Sequence, residues 1–217
     1  ALHRGTSTQQ RAPIIESSPF FDDSIATYDV DLDKANALLD EAGLAADGDG
    51  TRASFTMDFI PGQGEQQKNV AEYLKSQLKK VGLEIELRAA PDFPTWAGRV
   101  SNHEFDMSMD IVFNWGDPVI GVHRTYLSDN IKKGVIWSNT QSYQNARVDE
   151  VLNAAAKEMD PAARGALYSE FQQIVGEELP VYWINALPFH TAYNKNIVNP
   201  PVSIWGPMQS MDDLSML

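Results

Sequence analysis

The stretch from residue 53 to residue 89 most constrains the fold, because its hydrophobic period changes within a short length. Its first part, "ASFTMDFI", alternates apolar and polar residues, as a half-buried strand does. From about residue 65 to residue 81 an apolar stripe at helical spacing follows, and Gly82 ends it. "LEIELRA" then alternates again. Two strands joined by so long a helix are most simply parallel neighbours with a right-handed crossover, so the sequence predicts an α/β protein.

A third strand is predicted at "EFDMSMDIVFNW", after a short helix at "FPTWAGRV". We expect the strands near residues 53–60, 83–89 and 105–113 to lie in a single sheet flanked by helices. Ligands of open α/β sheets bind in the crevice beyond the carboxyl ends of the strands. "FNWGDPVIG" follows the third strand, so Trp115 and Asp117 are the first candidate ligand-binding residues.

Each candidate also has an ordinary structural interpretation. Trp115 can be a rim residue over the core and Asp117 can initiate a turn with Pro118, and the sequence alone gives these interpretations equal weight. Asp110 is expected to be a solvated strand residue rather than a cation anchor. For single aromatic side chains core packing is favoured over ligand stacking, although clustering around loops favours the ligand interpretation. These aromatic residues are Trp96, Trp137, Tyr143, Tyr182 and Trp183.

Composition excludes several classes of function. Lys and Arg number 17 against 30 Asp and Glu, and the formal charge of −13 would repel phosphate backbones, so no nucleic-acid partner is expected. Cysteine is absent, which excludes disulfides and thiolate metal sites and suits an extracytoplasmic bacterial protein. The 43% hydrophobic content of the 217 residues suffices for a substantial core, and no apolar run reaches membrane-spanning length.

Enzyme motifs are missing from the sequence. It contains no Gly-x-Ser-x-Gly, no phosphate-binding Gly-x-x-x-x-Gly-Lys, no Gly-x-Gly-x-x-Gly after a strand and no His-Glu-x-x-His. The four histidines are too scattered to indicate a metal set. "DGDG" at residues 47–50 lacks the later acidic ligand of a calcium loop and is predicted to be a turn. The sequence therefore predicts no catalytic residue, no metal site and no cofactor.

Helix start signals predict three further helices in the rest of the chain. "DLDKANALLDEAG" predicts a helix that Asp31 or Asp33 caps. Residues 147–159 predict another, and Asp160 is expected to cap the helix after it, with Pro161 at its first position. The apolar stripe that this last helix is expected to bury consists of Ala163, Leu167, Phe171, Ile174 and Val175.

Five stretches in this order resemble one family of proteins. They are "YDVDLDKANALLDEAGL", "GEQQKNVAEYLKSQLKKVGLEIEL", "EFDMSMDIVFNWGDP", "SYQNARVDEVL" and "MDPAARGALYSEFQQIVGEELPVYWI". Any one of these stretches is weak evidence of a resemblance, but together they span almost the whole chain. They closely resemble the carboxyl-terminal lobe of the family 5 extracellular solute-binding proteins, which serve bacterial ABC importers of dipeptides, oligopeptides, nickel and related solutes.

The resemblance implies a type II periplasmic-binding-protein-like lobe, with a mixed sheet flanked by helices and no enzymatic activity. Residues 1–30 would be an extended lead-in from a missing amino-terminal lobe, and residues 31–185 the ligand-binding lobe. Residues 186–217 would return toward the missing lobe and leave Ile204 and Trp205 without a covering surface. The implied protein is a periplasmic or otherwise extracytoplasmic monomer of the cell envelope. It would capture a small molecule, first of all a short peptide, and deliver it to membrane permease subunits.

One departure from the family concerns the ligand. Peptide binders of the family carry Trp-x-x-Asp, whose Asp pairs with the amino terminus of the peptide, whereas here Trp115-Gly-Asp117 is found and another register aligns that Asp with Asn114 or Trp115. Arg124 can meet a ligand carboxylate with two hydrogen bonds, although an isolated arginine is more commonly a surface residue. The residues expected to bind ligand are Trp115, Asp117, Asn114, Arg124, Trp96, Trp137 and Tyr143. Two rival functions stay open: a hydrolase with Asp110 and Asp117 as acid and base, and a signalling domain that binds a partner protein.

Overall fold

The computed structural model describes residues 7–62, 66–187 and 190–217. Within them, the helices are α1 (Leu32–Glu41), α2 (Gln66–Leu78), α3 (Phe93–Ser101), α4 (Val122–Tyr126), α5 (Ala146–Ala155) and α6 (Pro161–Glu178). The strands are β1 (Thr8–Gln9), β2 (Ala53–Phe59), β3 (Leu83–Ala89), β4 (Met107–Met109), β5 (Asn185–Ala186), β6 (Ile197–Val198) and β7 (Ser215–Met216). Short 3₁₀ turns lie at Lys79–Val81, Ser128–Asn130 and Gly206–Met208.

The central sheet has the order β3-β2-β4 and is parallel throughout. Phe55 pairs with Ile85 across β2 and β3, and Met57 pairs with Met107 across β2 and β4. The predicted α/β class and the predicted single sheet are confirmed, although β4 is shorter than expected. Antiparallel pairing occurs separately, between β1 and β5 and between β6 and β7.

Helix α2 provides the crossover between β2 and β3, as the change of period predicts. Its buried Ala71 packs on the sheet against Met57 and Ile85. Gly82 ends the turn after α2 with a φ of +80°, and a Cβ on it would lie 2.5 Å from the carbonyl oxygen of Gly50. Only glycine therefore allows β3 to start so close to the preceding turn.

A buried charge cluster ties the sheet to α3. Asp58 on β2 is fully buried, and its carboxylate accepts hydrogen bonds from Arg88 at 2.6 Å and from Arg99 at 3.1 Å. Arg88 lies on β3 and Arg99 on α3, so one carboxylate joins three elements. Two guanidinium partners offset the desolvation of this carboxylate.

The helices α4, α5 and α6 form a second layer. Their core has more buried residues than the core at the sheet. Asn145 caps α5, and Asp160 caps α6 by accepting from the backbone N–H of Ala163 at 2.8 Å, which confirms the predicted cap. The buried core members from these helices include Val148, Val151, Leu152, Tyr168, Phe171 and Val175. Ala163 is exposed, so its predicted burial is wrong. Phe171 and Val175 are buried as predicted, and Tyr168 and Gln172 extend the buried face of α6 because the lead-in covers that side of the helix.

The described part of the lead-in, residues 7–30, packs on α6 of this same chain. The ring of Phe20 lies 5.0 Å from that of Tyr168, and Gln172 donates to the carbonyl oxygen of Phe20 at 2.9 Å. Ile14 is buried in the core of α4, α5 and α6. Strand β1 pairs with β5, so the lead-in and the chain after α6 run side by side.

Candidate functional site

The loop between β4 and α4 carries the first predicted ligand residues and closes on itself. The backbone N–H of Trp115 donates to the carbonyl oxygen of Ile120 at 3.2 Å, and that of Ile120 donates to the carbonyl oxygen of Asp117 at 2.9 Å. Gly121 has a φ of +132°, and a Cβ there would lie 2.6 Å from the carbonyl oxygen of Phe113. The loop can therefore turn into α4 only with glycine at this position.

A cavity of about 210 Å³ lies beside this loop. Its wall combines Ile14 and Pro19 of the lead-in, Asn114 and Trp115 of the loop, and Ile204 of the chain after β6. None of the side chains that line the cavity is charged. The cavity thus offers an apolar surface with a few neutral polar groups beside the loop after β4, where the sequence predicts a ligand.

Three aromatic rings form a stack on one side of the cavity. The Trp115 ring is nearly parallel to that of Phe113, with centroids 5.6 Å apart, and to that of Trp205, with centroids 5.0 Å apart. Trp205 remains 40% exposed, and Trp115 is partly exposed. Trp205 was expected to lack a covering surface, but the Trp115 ring covers one of its faces. The sequence pattern gave no sign of this contact.

Asp117 is held by Arg164 of α6. Its two carboxylate oxygens accept hydrogen bonds of 2.8 Å from the two terminal nitrogens of Arg164. Asp117 also accepts from the backbone N–H of Val119 at 3.0 Å, as the turn interpretation predicts. The hydrogen bonds from Arg164 hold the pKa of the Asp117 carboxyl below its usual value. Asp117 is therefore an ionised, paired carboxylate at neutral pH.

Arg164 belongs to a buried polar network that reaches α4. Its guanidinium lies over the Phe20 ring at 5.0 Å and contacts the Tyr168 hydroxyl at 3.3 Å. The same hydroxyl is 3.0 Å from Nε2 of the buried His123. Burial lowers the pKa of His123 to about 4, so its imidazole is neutral at physiological pH. The lead-in, the loop, α4 and α6 thus meet in one cluster of hydrogen bonds and a cation–π contact.

Asn114 connects the loop to the lead-in. Its side-chain N–H donates to the carbonyl oxygen of Pro13 at 2.8 Å, while its Oδ1 is buried without a hydrogen-bond partner. An aspartate carboxylate cannot donate that bond, which gives a physical reason for an amide at this position.

Asp110 directly follows β4 and is desolvated, which corrects its expected role as a solvated strand residue. Burial raises the pKa of its carboxyl to about 6, against smaller lowering effects of the Ile111 backbone N–H, Trp137 and Arg124. The Ile111 N–H donates to it at 2.6 Å. Trp137 and Arg124 lie nearby, yet the indole Nε1 and the Arg124 Nε are both buried without a hydrogen-bond partner.

Two other predicted residues lie apart from the cavity wall. Trp96 is fully buried in the core beside α3, and its ring packs 5.5 Å from that of Phe93. Tyr143 packs on the core of α5 and α6, and its hydroxyl donates to Glu178. Burial and the Glu178 carboxylate raise the pKa of the Tyr143 hydroxyl above its usual value. In this structure both residues carry structural contacts.

Among residues 7–62, 66–187 and 190–217, no three His, Cys, Asp or Glu side chains come close enough together to hold a metal ion. The helices in residues 7–62, 66–187 and 190–217 are all too short or too polar to cross a membrane.

Comparison with known proteins identifies the family. Residues 1–143 match the family described as "Bacterial extracellular solute-binding proteins, family 5 Middle". The chain belongs to the family 5 extracellular solute-binding proteins. The di/tripeptide-binding protein 2 of Pseudomonas aeruginosa (strain UCBPP-PA14) is 27% identical over 198 residues, which are 88% of this chain and 34% of that protein. The chain thus spans about a third of the length of this family 5 relative.

Solved structures of the family share the fold. The oligopeptide-binding protein AppA from Bacillus subtilis, in complex with a nonapeptide, superposes with a TM-score of 0.78 at 20% identity, over 100% of this chain and 44% of that one. NikZ from Campylobacter jejuni, in complex with Ni(L-His), gives a TM-score of 0.78 at 22% identity, over 92% and 40% of the two chains. The predicted periplasmic-binding-protein-like lobe is therefore confirmed.

Proposed function

We propose that this chain is the carboxyl-terminal, ligand-binding lobe of the solute-binding component of a bacterial ABC importer. The complete protein captures a small solute in a cleft between this lobe and a second one. It works as a monomer in the periplasm or another extracytoplasmic part of the cell envelope and delivers its solute to membrane permease subunits. The proposal rests on family membership and on the partial length of the match to relatives.

One observation of the geometry carries the proposal: the stack of Phe113, Trp115 and Trp205 beside an uncharged cavity at the loop that follows β4. Partly exposed aromatic rings offer a flat apolar wall to a ligand without performing chemistry on it. Trp115, Asn114, Trp137 and Arg124 remain the proposed ligand-facing residues of the seven predicted. The proposed role of Asp117 is to fix the loop, because its carboxylate is already engaged by Arg164.

A short peptide is the proposed solute. Peptide binding is what the names of the Pseudomonas aeruginosa relative and of the AppA complex state for those proteins. Metal chelates are the second candidate for the solute, because NikZ was solved in complex with Ni(L-His). Amino-acid derivatives and sugars are the third and fourth candidates.

A hydrolase is the rival function, with Asp110 and Asp117 as acid and base. The raised pKa of Asp110 suits an acid. The paired state of Asp117 argues against a base that must reach a substrate, because both of its oxygens accept from Arg164. The complete protein is therefore proposed to have no catalytic activity.

Thermal denaturation of the complete protein tests the function. A panel of di-, tri- and oligopeptides, Ni(L-His) and small sugars should contain a ligand that raises the melting temperature, since a ligand at about 100 times its Kd adds roughly 2.7 kcal/mol to the unfolding free energy. Mass spectrometry should then recover that ligand unchanged. A cleaved ligand would favour the hydrolase, and a panel without any stabilising solute would count against the binding function.

Comparison with the isolated lobe supplies the control. A cleft ligand draws its burial from both lobes, so the present chain alone should bind the same ligand weakly or not at all. Calorimetry that gives equal affinity for the isolated chain and the complete protein would contradict the two-lobe proposal.

A further inference from the structure

Asn139 is a fully buried polar side chain in the segment between α4 and α5. Its Nδ2 group lies 2.8 Å from the carbonyl oxygen of Tyr143, 3.1 Å from that of Leu127 and 3.2 Å from that of Tyr126. Its Oδ1 accepts a hydrogen bond of 2.9 Å from the backbone N–H of Tyr143. Both ends of the amide are therefore used. A buried polar group that is satisfied in this way specifies one arrangement of the backbone around it.

The segment that Asn139 fixes, residues 131–145, is named the Asn139 loop and contains no helix or strand. Trp137 and Ser142 each adopt a φ of +57° within it. This backbone conformation is unfavourable for a bulky residue and persists only where the surrounding contacts over-determine it. Asn139 lies between the two residues, and its carbonyl oxygen accepts from the N–H of Ser142 at 3.2 Å. The hydrogen bonds of Asn139 thus hold the strained part of the loop.

Trp137 lies close to the end of the sheet. Its ring centroid is 5.9 Å from that of Phe93, the first residue of α3. Phe93 follows Ala89, the last residue of β3, by four positions, and it is 40% exposed. The segments that follow parallel strands lie at one edge of the sheet, and ligands bind in the crevice there. The rings of Trp137 and Phe93 therefore offer an aromatic surface near the carboxyl end of β3.

We infer that Asn139 is a positioning residue, which holds Trp137 in the conformation that contacts the captured solute. Asn139 does not contact the solute itself, because it is fully buried. The inference rests on the proposed function, since Trp137 is one of the proposed ligand-facing residues. It adds the group that fixes the shape of the site around Trp137.

The hydrogen bonds of this position require an amide. Three carbonyl oxygens need a donor, and the N–H of Tyr143 needs an acceptor. An aspartate carboxylate cannot donate and would place a negative charge against the three carbonyl oxygens. An alanine would leave all of these buried backbone groups without their partner. Substitution of Asn139 should therefore release the Asn139 loop, so that Trp137 leaves its strained conformation.

Fluorine NMR of the complete protein, labelled with 5-fluorotryptophan, tests the positioning without a ligand. The Trp137 signal is the one that Trp137→Phe lacks. Asn139→Ala should shift or broaden this signal. Asp160→Ala is the control, because it removes the cap of α6, a stabilising contact outside the Asn139 loop, and it should leave the signal in place. An unchanged Trp137 signal in Asn139→Ala, or an equal change in Asp160→Ala, overturns the inference.

A milder variant covers the case in which Asn139→Ala does not fold. Asn139→Ser keeps a hydroxyl that can replace one of the hydrogen bonds of the amide. It should change the Trp137 signal in the same direction and by less. The same two outcomes overturn the inference for this variant.

Calorimetry with trialanine, and separately with Ni(L-His), tests the effect on binding. Per folded molecule, Asn139→Ala should weaken binding by about fivefold or more, and Asp160→Ala by less than about twofold. Trp137→Ala should also weaken binding. Addition of Asn139→Ala to Trp137→Ala should cause no further loss, because Asn139 acts through Trp137. Losses that multiply in the double variant, as two independent effects do, overturn the inference, and so does an unchanged affinity in Asn139→Ala.

Failure of the proposed function gives a different result from failure of this inference. If the unmodified complete protein binds neither probe, the proposed function fails. The positioning of Trp137 by Asn139 is then decided by the fluorine spectra, where a change in Asn139→Ala but not in Asp160→Ala supports it and an unchanged signal overturns it. If a probe binds and the losses of the double variant multiply, the proposed function stands and the inference fails.

Discussion

The carboxylate of Asp117 and the guanidinium of Arg164 form two parallel hydrogen bonds of 2.8 Å across 47 residues of sequence. The pair links the loop after β4 to α6 and is shielded on one side only, since the Arg164 side chain is 18% exposed and the Asp117 side chain 40%. Bidentate, shielded pairs are stronger and more specific in geometry than surface pairs. The loop that carries Trp115, two residues before Asp117, is therefore held by a helix that is distant in the sequence.

Asp117→Asn should lower the stability of the protein rather than its ligand contacts. The amide cannot accept two bonds from Arg164, so the unfolding free energy should fall by about 1 to 2 kcal/mol. Urea denaturation measures this loss, and ligand affinity should change little once the folded fraction is corrected for. A loss of affinity without a loss of stability would instead make Asp117 a ligand group.

The surface pair of Arg147 and Glu170 provides the control for this bond. It has the same chemistry, at 2.6 Å, but its side chains are 48% and 39% exposed. A double-mutant cycle should give a coupling energy of roughly 0 to 1 kcal/mol here and a larger value for Asp117 and Arg164. Equal couplings would show that shielding of Arg164 adds nothing.

Substitution of two tryptophans should distinguish a residue that stabilises the fold from one that binds the ligand. Trp96 is fully buried, so Trp96→Ala should cost about 3 to 5 kcal/mol of unfolding free energy. Trp115 is partly exposed and stacked, so Trp115→Ala should cost clearly less stability but weaken the ligand by about tenfold. Denaturation measures the stability of both variants, and calorimetry measures their affinity for the ligand. A stability loss in Trp115→Ala as large as in Trp96→Ala would argue against a ligand-binding wall.

Local features of this fold are readable from the sequence. The strands β2 and β3 match the predicted segments because alternation along a strand is a property of neighbouring residues. The cap at Asp160 is equally local, since its partner N–H is that of Ala163. Such features need no knowledge of the tertiary structure.

The site depends on contacts that no local pattern records. The rings of Trp115 and Trp205 meet although they lie far apart in the sequence. The same holds for Asp117 and Arg164. The expected stripe of α6 also omitted Tyr168 and Gln172, which are buried because the lead-in covers a further side of the helix, and it included Ala163, which is exposed in the first turn. Covariation between such positions in homologues is the signal that could reveal these contacts.

Among the carboxylates considered, Asp58 should contribute most to the unfolding free energy. Asp58→Ala leaves Arg88 and Arg99 facing each other around a buried gap, with their shared counter-charge removed. Breaking a buried pair in this way typically costs about 3 to 5 kcal/mol. Circular dichroism during urea denaturation should show this loss, whereas Asp106→Asn, at an exposed position, should be nearly neutral. A loss in Asp58→Ala no larger than in that control would exclude a structural role for the cluster.

Asp110 and His123 should have opposite effects on stability in acid. The pKa of Asp110 is raised from 3.8 to about 6, so the folded state holds its proton more firmly; this contribution is present below pH 3.8 and is lost as the pH rises through 6. The pKa of His123 is lowered from 6.5 to about 4, so its contribution is present above pH 6.5 and is lost as the pH falls through 4. Between these limits the two effects partly cancel.

Asp110→Asn should remove this compensation. At pH 7.5 the variant should be more stable than the unmodified protein, on the order of 2 kcal/mol, because a desolvated negative charge is gone. On acidification from pH 6.5 to pH 4 it should lose stability more steeply, since only the penalty of protonating His123 remains. Urea midpoints measured across this range give both results. The unmodified protein and Asp106→Asn serve as references, and parallel pH curves for Asp110→Asn and the unmodified protein would show that Asp110 titrates normally and is not desolvated.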